Sequence, residues 1–191
     1  MKILHDTILK DGLALSDSIL KVDSFINHQI DPKLMNLVGK EFVKRFQDKK
    51  IDKVLTIEAS GIAPAMITAL ELGVPMVFAK KHKPITMDNF YSTTVYSFTK
   101  EKNYNLTVSK EFIKEGENVL LIDDFLSAGN AILGLRDIVN QGKANVVGVG
   151  IVIEKGFKEG RKNLLKEGFH LESLAIVEKM EKGKITLNKI K

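Results

Sequence analysis

Asp123 and Asp124 stand side by side in NVLLIDDFLSAGNAIL, residues 118–133, after an apolar run and before a loop of small residues. The run has the composition of a buried parallel strand, so the acids fall at its carboxyl end, where ligands bind in α/β sheets. Behind them, Ser127, Ala128, Gly129, Asn130 and Ala131 offer consecutive backbone N–H groups. Gly129 lets the chain curl, and the helix that follows turns the positive end of its dipole to the same spot. That is a cradle for a phosphate. Two carboxylates beside it would repel the phosphate unless they face something else, either sugar hydroxyls or a magnesium ion. A phosphorylated ribose fits both halves. A solvated helix cap followed by a plain turn is the competing account of the same residues.

The elements that position these residues read as one α/β domain over 1–191, since a chain of 191 residues, 44% hydrophobic, supports one buried core rather than two. Residues 1–50 read as a helical N-terminal segment, with Leu4, Ile8 and Leu9 on one apolar face and DPKLMNLVGKEFVKRFQD opening on Asp31 as cap and Pro32 at the first helical position. ILKVDSFINHQI, between these helices, has no regular period. KVLTIE, AMITALELG and PMVFAKK form a first strand–helix–strand unit. NVLLID, NAILGLRDIVNQG and ANVVGVGIVIEKG form another, and the tail HLESLAIV and KITLNKIK reads as a late strand and a peripheral one. Strands alternating with helices predict a mostly parallel central sheet flanked by helices. Residues of about 84–110, with VYSFT and YNLTVS around KEKN, read as an inserted flexible hairpin.

Composition removes several classes of function. There is no cysteine, hence no disulfide, thiolate nucleophile or cysteine-held zinc, and the four histidines lack metal-ligand spacing. No apolar stretch is long enough for a membrane span, and the first residues lack a signal-peptide pattern, so a cytoplasmic protein with no membrane partner is expected. A net charge of +5 suits a polyphosphate substrate as well as nucleic acid, and no nucleic-acid partner is expected.

The stretch from Val119 to Ala131 resembles the ribose-phosphate signature of the type I phosphoribosyltransferases: an apolar strand, two acids, two apolar residues and a small loop. It departs from that pattern at Ala128 and Ala131, where threonine is common, and at Asn130, where glycine is frequent. Backbone N–H groups, Ser127 and the Asn130 amide are left to bind the phosphate. In the same resemblance IEASGIAP matches the pyrophosphate loop, giving Ala59, Ser60 and Gly61, and Lys80, Lys81 and Lys83 of AKKHKP would neutralise a leaving diphosphate. The chemistry implied is displacement of pyrophosphate from the donor's anomeric carbon by a nitrogen nucleophile. Its oxocarbenium-like state must be kept from water, so the hairpin is expected to act as a lid.

GIVIEKGF puts Lys155 and Phe157 at another strand end. A lysine ammonium only donates, so it favours a base with a 6-oxo group, and an adjacent ring can stack on a purine. Residue chemistry does not separate xanthine from guanine or hypoxanthine. Together, ILKVDSFINHQIDP, IEASGIAP, VFAKKHK, VYSFTK, IDDFLSAGNA and GIVIEKGF resemble the bacterial xanthine phosphoribosyltransferases over nearly the whole chain. That resemblance implies an N-terminal hood over the base, with Leu20, Asn27 and Lys155 at xanthine-contacting positions. It also implies phosphoribosyl pyrophosphate and xanthine as substrates, a homodimer, and magnesium carried mainly by the substrate rather than by direct protein ligands. A guanine or hypoxanthine transferase, and a noncatalytic regulator sensing the same donor, are the alternatives.

Overall fold

The structure, a computed structural model, describes residues 1–81, 88–97 and 102–189. In chain order the elements are α1 (Lys2–Asp11), β1 (Leu13–Ala14), β2 (Leu20–Lys21), a π-helical turn (Asp23–Asn27), α2 (Pro32–Arg45), β3 (Lys53–Ile57), α3 (Ile62–Leu72) and β4 (Met76–Ala79). There follow β5 (Phe90–Ser97), β6 (Lys102–Ser109), a 3-10 turn (Lys110–Phe112), β7 (Asn118–Leu126), α4 (Asn130–Gln141), β8 (Asn145–Lys155), α5 (Gly160–Lys166), β9 (Leu171–Glu181) and β10 (Lys184–Leu187).

The central sheet runs β10-β9-β8-β7-β3-β4, parallel throughout except for the β9–β10 pair. Because side chains alternate along a strand, each central strand feeds two layers. Val54, Leu120 and Ile122 pack with α1, α2 and α3, while Leu55, Val119 and Leu121 pack with α4 and the hairpin. Chain order reverses between β3 and β7, so their carboxyl ends open the crevice where such sheets bind ligands.

The expected elements are present, with four differences. Asp31 caps α2 as read, accepting from the Lys33 and Leu34 amides, but Leu9 of α1 is 55% exposed while Leu4 and Ile8 are buried. The irregular stretch after α1 holds β1, β2 and the π-helical turn. β7 does not stop before the acids; it stays paired to β8 through Asp123↔Ile151, Phe125↔Ile153 and Leu126↔Glu154, so the loop shortens to residues 127–129. α5, which the sequence reading lacks, lies between β8 and β9.

The hairpin pairs Phe90↔Ser109 through Ser97↔Lys102; of the expected KEKN turn, Lys102 and Asn103 belong to β6, and the first two residues fall outside the described ones. Its strands are anchored rather than free-standing. Val95, Leu106 and Val108 are buried, and Lys80 and Thr107 exchange both backbone hydrogen bonds at 2.9 Å. Gln141 at the far end of α4 donates to the Ser92 carbonyl at 2.9 Å.

Candidate active site

At the β3–β7 switch the chain leaves a cleft of about 150 Å³ lined by Ile57, Glu58, Ala59, Ser60, Lys81, Tyr104, Asp123, Asp124 and Ala131. The Glu58–Ala59 peptide in its wall is cis. Glu58 stitches the two strand ends together: its amide donates to the Ala79 carbonyl at 3.2 Å, and its Oε1 accepts from the Lys81 amide at 2.6 Å. Lys81 Nζ lies 5.8 Å from the centre of the Tyr104 ring, which β6 brings to the cleft. Burial pushes the Tyr104 hydroxyl's pKa up, and the Asp123 charge adds to the effect.

Gly61, at the start of α3, is a close-approach glycine. A Cβ there would collide with Thr56 Oγ1 and stand 3.1 Å from Asp123 Oδ1. Only a residue without a side chain lets α3 begin this near the acid pair.

Asp123 is 7% exposed, and its Oδ1 accepts from the Asp124 amide at 3.0 Å; Asp124 is half-buried. Burial raises the Asp123 pKa well above the ordinary carboxylate value, and the adjacent Asp124 charge raises it further. Folding therefore favours the protonated carboxyl. Stability falls as pH rises from the unfolded value of about 3.9 toward the higher folded one. Asp123→Asn, which cannot ionise, should melt a few degrees above wild type at pH 7, with the gap closing toward pH 4. Thermal unfolding at pH 4, 5.5 and 7 checks this, and a gap that is absent or shrinks with rising pH would remove burial as the cause.

The loop read from sequence as a phosphate cradle lies between β7 and α4. Gly129 adopts φ +91°, and Leu133 N donates to its carbonyl at 3.1 Å. A Cβ on Gly129 would meet Leu164 of α5 at 3.4 Å, so a side chain there points to the core and not into the cradle. A valine at this position would therefore not fill the cradle. Gly129→Val should act through backbone strain, of about 1–3 kcal/mol for a non-glycine residue held in this region. Melting should fall by roughly 2–12 °C at about 2–4 °C per kcal/mol, with weaker donor binding. Wild-type melting and wild-type donor affinity by calorimetry would count against it.

The Asn130 side chain, read as a phosphate ligand, donates to the Tyr96 carbonyl of the hairpin at 3.1 Å. Ser127 and Ala128 are half-buried, and Ala131 reaches the cleft.

Other predicted residues divide. Lys81 joins the cleft, but Lys80 lines a separate groove of about 620 Å³ with Met76, Phe78 and Phe112. Lys83 lies outside the described residues. Lys155 Nζ donates to the Ser18 carbonyl at 2.6 Å and lies 5.5 Å from the Phe125 ring centre. Burial lowers the Lys155 pKa, Lys158 lowers it further, and Asp124 opposes both. Phe157 is 37% exposed and pairs with Lys158, so the ring beside the Lys155 ammonium is Phe125, which sequence reading missed. Leu20 is packed in the core at 6% exposure, and Asn27 is exposed at the end of the π-helical turn.

The family of the phosphoribosyl transferase domain matches residues 28–180, a span that takes in the acid pair and both loops. The chain belongs to the phosphoribosyl transferase family. It is 54% identical over 186 residues to a xanthine phosphoribosyltransferase of Oceanobacillus iheyensis, with 97% of this chain and 96% of that one covered. It is 55% identical to a xanthine phosphoribosyltransferase of Clostridium novyi, at 97% and 98% coverage. Its fold is similar to that of adenine phosphoribosyltransferase from Rhodothermus marinus, with a TM-score of 0.76, 18% identity, and 93% of this chain and all of that chain covered. The family's fold, a mostly parallel sheet flanked by helices, is the one expected from the strand–helix alternation.

Proposed function

We propose that this protein transfers the 5-phosphoribosyl group of phosphoribosyl pyrophosphate to xanthine, forming xanthosine 5′-monophosphate and pyrophosphate, a purine salvage reaction. The observation that carries this reading is one cleft lined by the acid pair, by Ala59 and Ser60 after β3 and by Ala131 at the start of α4, in a chain more than half identical to enzymes named for xanthine.

In this reading the N–H groups of residues 128–131, with Ser127, hold the 5-phosphate. Asp124 accepts from the ribose hydroxyls and Asp123 backs it. Ala59, Ser60, Gly61 and Lys81 take the diphosphate, with Lys80 adding positive charge from farther out; Lys83, outside the described residues, is assigned to the same group. Lys155 faces the 6-oxo group of the base, Phe125 and Phe157 supply rings for it, and Leu20 and Asn27 belong to the hood. The bond from the anomeric carbon to pyrophosphate breaks, pyrophosphate leaves with the electron pair, and the bond to the base nitrogen forms as that nitrogen gives up its proton. Tyr104 and the hairpin would exclude water from the charged state between.

Asp123 and Asp124 are hard oxygen donors suited to magnesium. Among the described residues, no three His, Cys, Asp or Glu side chains converge on one point. The donor's own oxygens would then supply most of the ion's coordination, and the ion would neutralise diphosphate charge when bound. A homodimer and a cytoplasmic location belong to the same reading through the family resemblance. Among the described residues no helix is long and apolar enough to cross a membrane.

Turnover separates an enzyme from a donor-sensing regulator. With magnesium, excess donor and xanthine, pyrophosphate should accumulate far beyond the amount of protein, and only when xanthine is present. Release that stops at one equivalent, or that ignores xanthine, would overturn the proposal.

A further inference from the structure

α5 does not line the cleft, yet it donates twice to the phosphate loop. Gly160 N donates to the Ser127 carbonyl at 2.8 Å, and Asn163 Nδ2 to the Ala128 carbonyl at 3.1 Å. The peptides that follow these carbonyls are trans, and a planar trans peptide points its N–H opposite its C=O. Drawing both carbonyls toward α5 therefore turns the Ala128 and Gly129 N–H groups away from it. Among the described residues, neither N–H donates to a protein acceptor.

We propose that α5 is a brace for the phosphate cradle, with Asn163 and Gly160 as positioning residues that fix the two peptides in the orientation that binds the donor's 5-phosphate. The inference rests on the reading of residues 127–131 as the 5-phosphate loop, and it adds residues that touch no substrate.

α5 is itself held firmly. Glu154, 1% exposed, accepts from Arg161 Nε and Nη2 at 2.8 and 2.6 Å and also from Ser173 Oγ. A forked guanidinium–carboxylate pair of this kind fixes direction as well as distance. Leu164 is fully buried, on the side toward which a Gly129 Cβ would point. Gly160 has no room for a Cβ, which would collide with the Ser127 carbonyl oxygen. The strand residue that anchors the brace, Glu154, directly precedes Lys155. One strand end thus supports both the phosphate loop and the residue placed at the base.

A loop that loses its brace samples other peptide orientations, and the apparent affinity falls by the fraction of time it is competent. Once the donor is bound the loop is ordered, so the chemical step is spared. Asn163 is exposed, and its replacement leaves the core intact. Asn163→Ala removes the donor. Asn163→Asp keeps the shape but sets an acceptor against the Ala128 carbonyl.

The test uses ribose 5-phosphate, which carries the phosphate without the diphosphate, with its affinity measured by calorimetry. Steady-state kinetics with phosphoribosyl pyrophosphate and xanthine accompany it, and thermal melting serves as the folding control. Asn163→Ala should weaken ribose 5-phosphate binding and raise the donor KM by roughly three- to tenfold, the loss expected for one neutral hydrogen bond. Asn163→Asp should do so at least as strongly. The kcat at saturating donor and the KM for xanthine should stay within about twofold of wild type. Wild-type ribose 5-phosphate affinity in both variants, or a fall in kcat with the donor KM unchanged, would overturn the brace while leaving the transferase reading intact. Failure of the wild-type protein itself to bind ribose 5-phosphate would overturn the phosphate-loop reading and the brace with it.

Discussion

Asp124→Asn is expected to lower kcat/KM for the donor by roughly tenfold to a hundred-and-fiftyfold without lowering the melting temperature. The magnitude follows from losing a hydrogen bond to a charged group, worth about 1.5–3 kcal/mol, in a step where positive charge grows on the ribose. Stability should hold because Asp124 is not part of the core and its charge opposes that of buried Asp123. Removing one of two crowded carboxylates relieves repulsion. Kinetics with xanthine, together with a melting curve, decide the matter. Unchanged activity would take the acid pair out of the mechanism, and lost activity with a collapsed melting curve would make Asp124 a structural residue.

Lys155→Met should cost the protein its use of xanthine while leaving donor affinity largely intact. The ammonium has a fixed position, donating to the Ser18 carbonyl and lying against Phe125. Two of its three N–H groups remain for a base. Loss of such a donor again corresponds to roughly tenfold to a hundred-and-fiftyfold in the specificity constant. Methionine fills similar space, so packing is a minor part of the change. Xanthine ionises more readily than guanine or hypoxanthine, and an ammonium nearby favours the anion. Burial lowers the Lys155 pKa, so the preference for xanthine should decline on the alkaline side as the ammonium loses its proton. Specificity constants for xanthine, guanine, hypoxanthine and adenine in wild type and variant test this. An equal fall for all four would assign Lys155 to the fold or the donor.

The lysine also shows why part of the site was legible from sequence and part was not. The acid pair and both small-residue loops carry local patterns, and the structure brings the acid pair, Ala59, Ser60 and Ala131 to one cleft at the β3–β7 switch. Lys155 stands out in the sequence because it closes a long apolar run, but its aromatic neighbour does not, since Phe125 reads as part of a loop until β8 is seen to pair with it. The length of a strand is set by its partner, which no local window contains. Lys80 and Lys81 are a different case. Strand alternation puts consecutive residues on opposite faces, and carried past Ala79, where β4 ends, it separates Lys80 from Lys81.

α5 and the β1–β2 pair escaped for a shared reason. α5 has seven residues with only Gly160 and Leu164 buried, too short for an amphipathic period to appear. β1 and β2 are two residues each and exist through their mutual pairing. Their stability is tertiary, as is that of Leu20, whose place in the core could not be read from its neighbours. Helical periodicity puts Leu9 on the apolar face of α1, yet it stays exposed while Leu4 and Ile8 are buried, because periodicity gives a face and burial depends on what packs against it.

The most direct test of base choice is a competition. Equal concentrations of xanthine, guanine, hypoxanthine and adenine are incubated with the protein, magnesium and limiting phosphoribosyl pyrophosphate, and the nucleotides are identified by mass. Xanthosine 5′-monophosphate should dominate, with one pyrophosphate released per nucleotide formed. Guanosine or inosine monophosphate as the main product would contradict the assignment to xanthine, and no nucleotide from any base would contradict transfer itself.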